Sequence, residues 1–180
     1  MSITINPPAG PWTVDDLAGL PDTGCRVEIH EGNLLLMSPA SLWHTRVMRR
    51  IAAALAAQNL AAEIEVGVKQ SGRNFRIADV GVFHRPQSDP HQSFWAAEDL
   101  ALVIEVVSDS SKVDDRMTKP RWYAEVGIPG FWRVEESAED PHDAVIFQFE
   151  LATTTDGAAA YIQTGVTTLT ALEAGHGSNL

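Results

Sequence analysis

Two carboxylates that stand among apolar residues are the side chains of this sequence best placed to do chemistry. Glu105 follows Ala101-Leu-Val-Ile104 and precedes two valines, and Asp79 stands directly before the apolar run Val80-Gly-Val-Phe83. A buried carboxylate is costly unless a cation, a metal ion or a set of donors balances it. Neighbouring strands lie about 4.8 Å apart, so two carboxylates on adjacent strands can share one ion. Such oxygen ligands suit Mg²⁺ or Mn²⁺.

The same pair of acids is also compatible with a purely structural role. Asp79 can form an ion pair with Arg76, and Glu105 can form one with a lysine of the following helix. Spacing within the sequence does not separate these ion pairs from a metal site. Both interpretations therefore remain open at this point.

A possible source of positive charge follows Glu105 along the chain. Four residues are spaced by four, three and four positions, which places them on one face of a continuous helix: Lys112, Arg116, Lys119 and Tyr123. A lysine on that face can orient a water molecule or stabilise charge that develops on phosphorus. Pro120 directly follows Lys119, and a residue before proline resists the helical conformation, so we expect a kink or a restart there.

Charge is unevenly distributed along the chain. The 180 residues carry 13 basic and 24 acidic side chains, a net charge of −11, which excludes a general polycationic coat for nucleic acid. Residues 41–85 nevertheless hold seven basic and three acidic residues, whereas residues 134–180 hold eight acidic residues and no basic one. Contact with a polyanion is therefore expected from the middle third, although Arg46, Arg49 and Arg50 also fit a solvated helix face.

Length and composition predict one globular domain. Hydrophobic residues make up 44% of the chain and charged residues 21%, values that are typical of a folded domain. Cys25 is the only cysteine, which excludes an intrachain disulfide. We expect no signal peptide, because residues 1–10 carry no basic residue, and no membrane span, because the longest apolar stretch is Ile51 to Ala57. The predicted location is the cytoplasm.

The hydrophobic pattern predicts a mixed α/β sheet flanked by helices. Ser41 is expected to cap a long helix that reaches about Asn59, with Trp43, Val47, Ile51 and Leu55 as its buried stripe. A second helix is expected to begin at Ser110 or Ser111 and to end near Gly127. The remaining expected elements are a short helix at 14–20, strands at 26–30, 33–37, 63–68, 79–83, 100–107 and 131–135, a loop at 84–99, and a terminal hairpin at 144–151 and 158–163.

An ordered set of segments resembles the Uma-type restriction-endonuclease family, within the PD-(D/E)XK nuclease superfamily. The matching segments are Arg26-Val-Glu-Ile-His-Glu-Gly-Asn-Leu34, Met37-Ser-Pro39, His44, Arg76-Ile-Ala-Asp-Val80, Leu102-Val-Ile-Glu-Val-Val-Ser108, and Lys119 through Tyr123 to Gly127-Ile-Pro-Gly-Phe-Trp132. The resemblance implies a restriction-endonuclease-like fold with a nuclease-like core over 14–134. Residues 135–180 are interpreted as family-divergent C-terminal strands, including an additional β-hairpin, in a single domain over 1–180.

The resemblance also implies roles for particular residues. Asp79 and Glu105 match the two acidic metal ligands of the superfamily. The superfamily lysine two residues after the second acid is replaced by Val107 here, so Lys119 is the matching residue, with Lys112 as the alternative. Two further residues match family positions with a catalytic role, Glu28 and His44, and Tyr123 matches a family tyrosine that we expect to serve packing.

The function that follows is hydrolysis of phosphodiester bonds in DNA, with Mg²⁺ or Mn²⁺ as the cofactor. Candidate contacts to the DNA backbone are Arg46, Arg50, Arg73 and Arg76. A homodimer is compatible with cutting two strands. The alternative is a module that keeps the nuclease fold but binds a partner without catalysis, which the net charge and Val107 favour slightly.

Overall fold

The computed structural model describes residues 4–21, 24–108 and 111–177, and these form one mixed sheet with helices on both faces. The helices are α1 (Leu42–Ala57), α2 (Lys119–Glu125) and α3 (Leu169–Glu173), with 3₁₀ turns at Val14–Gly19 and Ala97–Asp99 and a π-helical turn at Asp114–Thr118. The strands are β1 (Arg26–His30), β2 (Asn33–Met37), β3 (Ala61–Ser71), β4 (Asn74–Phe83), β5 (Phe94–Ala96), β6 (Leu100–Val106), β7 (Gly130–Glu136), β8 (Ala144–Thr153) and β9 (Ala159–Thr168).

Strand β4 is the centre of the sheet. The main order of strands is β2-β1-β4-β6-β7-β8-β9, and β3 pairs with β4 in addition. Strands β6 and β7 are parallel, and so are β3 and β5, whereas the other pairs are antiparallel. This arrangement confirms the predicted mixed sheet, and β8 with β9 forms the predicted C-terminal hairpin.

A gap in the strand pairing lies along one edge of β4. Strand β3 pairs with β4 along most of its length, so β1 and β6 share the opposite edge. The pairing with β1 is at Ile29↔Phe75, and the pairing with β6 begins at Val80↔Ile104. Between these two points the backbone of β4 has no strand partner on that edge within the described part of the chain. Side chains of the candidate site occupy this gap.

The two faces of the sheet carry separate hydrophobic cores. Leu102 and Ile104 of β6 belong to the same core as α1 and α3, whereas Val103 packs in the core that contains Tyr123 of α2. Because successive residues of a strand point to opposite faces, α1 and α2 cover opposite faces of the sheet. Glu105 stands two residues after Val103, so its side chain points to the same face of the sheet, the face that α2 covers.

Helix α1 begins as the sequence predicts. The Ser41 side chain accepts a hydrogen bond from the His44 N–H, which satisfies one donor of the first turn. Val47, Ile51 and Leu55 are buried against the sheet, and Trp43 packs partly buried beside them. The predicted buried stripe is confirmed, and it fixes the N-terminus of α1 beside β4.

Several predicted boundaries are wrong. Asp79 lies in the middle of β4 rather than at a strand start, because β4 begins five residues earlier, at Asn74. The segment expected as a loop at 84–99 contains β5 and a 3₁₀ turn. The segment after Ser111 is not one regular helix, since a π-helical turn precedes Pro120. Helix α3 was not expected, and Ser110 lies outside the described residues.

Among the described residues, no helix combines the length and the apolar character that crossing a membrane requires.

Candidate active site

Asp79 and Glu105 lie beside each other on neighbouring strands. The antiparallel register that pairs Val80 with Ile104 brings Asp79 opposite Glu105, one position further along. The Val106 N–H donates to Asp79 Oδ2 at 2.8 Å, so the Asp79 side chain reaches into the edge of β6. As predicted from the sequence, the two acids lie next to each other on adjacent strands.

Asp79 is held by two side chains in addition to the Val106 N–H. Arg26 donates to Oδ1 at 2.7 Å, and His44 Nε2 lies 3.0 Å from Oδ2. Burial alone would raise the pKa of Asp79, but the hydrogen bond from His44 and the positive charges of Lys119 and Arg26 hold it well below its usual range. Asp79 is therefore ionised, and His44 Nε2 is the donor in their hydrogen bond.

Glu105 is completely buried and is held from α2. Lys119 Nζ lies 2.8 Å from Oε2, and the Tyr123 hydroxyl donates to Oε1 at 2.6 Å. Lys119 and Tyr123 are four residues apart, so they share a face of α2. Tyr123 thus has a polar function at this site in addition to the packing role that we expected for it.

Two side chains of β1 fill the gap along β4. Glu28 Oε1 accepts a hydrogen bond from the Ile77 N–H at 3.0 Å, and Arg26 donates to the Ile77 carbonyl at 3.0 Å. The other Glu28 oxygen lies 2.7 Å from His30 Nε2. Side chains thus replace the missing strand at Ile77, and this use of Glu28 explains why a carboxylate is buried there.

The π-helical turn places a further acid next to Lys119. Asp115 is almost fully buried, and its Oδ1 lies 3.2 Å from Lys119 Nζ without a hydrogen bond of good geometry. The Lys119 N–H bonds to the Asp114 carbonyl, five residues back. Pro120, the next residue, has no N–H to continue the α-helical pattern. π-helical turns of this kind are frequent at functional sites.

The buried cluster carries more negative than positive charge. Among the described residues, the cluster contains four acids, Glu28, Asp79, Glu105 and Asp115, and the two cations that pair with them, Arg26 and Lys119. Counted as ionised, the four carboxylates exceed the two cations by two charges, and a proton held by one carboxyl group reduces that excess.

The unbalanced charge is visible in the pKa values of the cluster. Burial raises the pKa of Glu105 well above its usual range, and Asp79 and Asp115 raise it further, against the effect of Lys119. Burial opposes the charged form of Lys119, but the surrounding carboxylates hold its pKa well above its usual value. Lys119 is therefore a permanent cation, and the cluster favours the arrival of additional positive charge.

A cavity of about 600 Å³ opens onto the cluster. Four of the charged side chains of the cluster form its walls, Arg26, Asp79, Asp115 and Lys119, whereas Glu105 and Glu28 are not among the lining residues. The N-terminal turn of α1 and the chain after β6 complete the walls. The cavity therefore gives a ligand access to one member of the acidic pair, with the other directly behind it.

A divalent cation fits the chemistry of this donor set. Asp79 and Asp115 offer oxygens at the cavity wall, and the positive charge of the ion would offset the excess of carboxylates in the cluster. No group of three or more Asp, Glu, His or Cys side chains within residues 4–21, 24–108 and 111–177 is arranged as a ready metal site. Mg²⁺ does not require one, because it keeps several waters and takes one or two carboxylates together with substrate phosphates.

The four arginines predicted to contact DNA do not line this cavity. Arg46 and Arg73 are exposed, on α1 and on the turn before β4. Arg50 forms a bidentate ion pair with Glu173 of α3, and Arg76 is buried with its guanidinium over the Trp122 ring. The charged side chains that do line the cavity are different: Arg26, Lys112, Arg116 and Lys119 with Asp79, Asp115, Glu135 and Glu136.

Sequence reasoning gave no role to Arg26 or Asp115. Arg26 stood within the family-like segment, but only the structure brings it across the gap to Asp79. Asp115 stands four residues before Lys119, a spacing typical of a helical ion pair, which is the signal that could have identified it. Its burial could not be predicted, because the neighbouring Asp114 carries the same side chain and is partly exposed.

The fold of this chain has a counterpart among solved structures. A solved structure described as "a putative nuclease belonging to DUF820", from Anabaena variabilis, superposes with a TM-score of 0.55 over 82% of this chain and 92% of that chain, at 16% identity. The profile of the Uma2 family, described as "Putative restriction endonuclease", matches residues 14–170. The chain therefore belongs to the Uma2 family, and the resemblance expected from the sequence is confirmed. No curated protein matches the chain.

Proposed function

We propose that this chain is a DNA endonuclease that hydrolyses phosphodiester bonds with Mg²⁺ or Mn²⁺ held by Asp79 and Glu105. The observation that carries the proposal is the unbalanced negative charge of the buried cluster beneath an open cavity. The family description and the fold support a nuclease in general terms. A bound divalent ion supplies a Lewis acid that draws charge from a phosphate oxygen and lowers the pKa of water.

The protein side chains then have separate tasks. Lys119 stays protonated because its pKa is raised, so it acts as a positive charge beside the phosphate and not as a proton acceptor. Arg26 and His44 fix the orientation of Asp79, and Tyr123 fixes that of Glu105. His44 acts through its hydrogen bond to Asp79 and is therefore a positioning residue.

The proposal is tested by nicking of supercoiled plasmid with Mg²⁺ or Mn²⁺. We expect Asp79→Asn and Glu105→Gln to lose at least about 100-fold in rate, a loss typical of removing a group that stabilises the transition state. Glu139→Gln, the same change at an exposed loop position, is the control and should nick like wild type. Undiminished nicking by both site variants contradicts the proposal.

A second candidate function rests on the contacts of the same two acids. Asp79 and Glu105 already accept hydrogen bonds from protein groups on both of their oxygens, as expected of a closed structural cluster. This favours a binding module without catalysis. Titration calorimetry with Mn²⁺ separates the two functions. An endonuclease binds the ion in the wild type and loses it in Asp79→Asn, whereas a binding module gives no heat in either protein.

A further inference from the structure

A second cavity, of about 240 Å³, lies between α2 and strands β7 to β9. Its walls carry three arginines and three aromatic rings: Arg116, Arg121, Arg133, Phe131, Phe149 and Tyr161. Arg116 lines this cavity and the larger one over the acidic cluster. The two cavities are therefore neighbours on one surface, with Arg116 between them.

Arg133 is held flat by aromatic side chains. Its guanidinium carbon lies 4.8 Å from the centre of the Phe147 ring and 5.6 Å from that of Phe149. Cation–π contacts of this kind fix the plane of an arginine before any ligand arrives. The aromatic wall continues through Phe131 and Tyr161, whose rings stack at 5.4 Å.

The second cavity is locally positive. Glu135 pairs with both Arg116 and Arg133, and Glu125 pairs with Arg121, so three cations share two carboxylates. The Arg121 side chain is 78% exposed. Exposed ion pairs are weak, so an incoming phosphate can replace Glu125 as the partner of Arg121 at little cost. This excess of positive charge stands out in a chain whose net charge is −11.

We propose that the second cavity binds the nucleic-acid strand beside the bond that is cleaved. Arg116 and Arg121 contact its phosphates, and a base packs against the aromatic wall next to Arg133. Arginine beside aromatic rings is the combination with which proteins hold single strands without sequence preference. The inference rests on the proposed function, because the strand that is cleaved in the larger cavity would continue past Arg116 into the second cavity.

Fluorescence anisotropy with a labelled single-stranded DNA of about 12 nucleotides tests the site, at about 50 mM salt in EDTA so that no cleavage occurs. We expect Arg121→Glu to weaken binding about tenfold or more. Arg85→Glu is the matched control, since Arg85 is exposed in the segment before β5, lines neither cavity and makes the same charge change. Equal losses in both variants, or none in Arg121→Glu, overturn the proposal.

The salt dependence of oligonucleotide binding tests the phosphate contact of Arg121, because a purely structural role of Arg121 would leave that dependence unchanged. The slope of log Kd against log salt should fall by about 0.7 when Arg121→Ala removes one phosphate contact from a single strand. An unchanged slope contradicts the phosphate contact.

Asp79→Asn separates this site from the proposed hydrolysis. We expect that variant to bind the oligonucleotide no more weakly than wild type while it loses plasmid nicking. If oligonucleotide binding depends on Arg121 but the wild-type protein never nicks plasmid, the site in the second cavity is supported and the endonuclease is refuted. If the protein nicks plasmid but its oligonucleotide binding does not depend on Arg121, only the site in the second cavity is refuted.

Discussion

Lys119 is the side chain on which the charge balance of the buried cluster depends. It lies 2.8 Å from Glu105 and 3.2 Å from Asp115, and it is almost fully buried. Breaking a buried ion pair from one side leaves an uncompensated charge, which costs about 3–5 kcal/mol. Lys119→Met should lower the free energy of unfolding by that amount in urea titrations at neutral pH. Lys69→Met, at an exposed strand position, should change it little, and a comparable loss there would contradict the assignment.

Asp115 differs from Lys119, because removing its charge should not lower the stability of the protein. Burial raises the pKa of Asp115 against the effect of Lys119. A folded-state pKa above the unfolded value means that ionisation costs stability as pH rises through it. Asp115→Asn should therefore be at least as stable as wild type near neutral pH, with an advantage that shrinks as pH falls toward 4.

Unfolding in urea at several pH values measures this difference. Asp114→Asn, the same substitution one residue earlier at a partly exposed position, is the control. An Asp115→Asn variant that becomes less stable than wild type as pH rises contradicts the prediction.

The sequence was sufficient to single out Asp79 and Glu105 as candidates, because Asp79 stands directly before an apolar run and Glu105 stands within one. Their partners could not be found in the same way. Arg26 reaches Asp79 across a gap between strands, and that gap depends on which strands share an edge of β4. Spacing along the chain contains no information about this pairing.

Helix α1 links the hydrophobic core to the candidate site at its first turn. Ser41 accepts the His44 N–H, and the His44 side chain in turn contacts Asp79. Ser41→Ala should cost about 1 kcal/mol of stability through the lost cap and should also slow plasmid nicking. Thr168→Ala is the matched control, because Thr168 caps α3 in the same way, away from the cavities. It should cost similar stability without slowing nicking, and equal slowing in both variants would contradict the link.

Elements with strong periodicity were predicted well, and irregular ones were not. Helix α1 and the β1–β2 hairpin follow from apolar spacing, a cap and a turn. The π-helical turn before Pro120 has no periodic signal, since it depends on how the chain accommodates a residue without an N–H while Asp115 and Lys119 stay together. Strand β5 is three residues long and exists through its pairing with β3, so its own sequence could not indicate it.

At the scale of the whole molecule, β9 is the surface on which the predicted homodimer can be tested. It ends the sheet, and its ten residues contain no charged side chain and no proline, the features with which proteins usually protect an edge. Ile162 and Val166 are more than half exposed on it. Ile162→Lys should convert a dimer of twice the chain mass into a monomer in analytical ultracentrifugation.

Leu36→Lys provides the control for that experiment. Leu36 is an exposed apolar residue on β2, at the other end of the sheet, and its substitution should leave the dimer intact. A dimer that dissociates with Leu36→Lys and persists with Ile162→Lys would place the interface at the other edge. If the wild-type protein is monomeric at high concentration, the prediction of a homodimer is wrong.

The gap along β4 also limits how this chain can diverge. Arg26 and Glu28 serve as main-chain partners for Ile77 and also belong to the proposed site, so the same side chains complete the sheet and surround the candidate acids. Losing Arg26 alone would leave Asp79 with less compensation and the Ile77 carbonyl without its donor. Relatives that abandon the chemistry should therefore replace positions 26 and 79 together, and a neutral residue at one should accompany a neutral residue at the other.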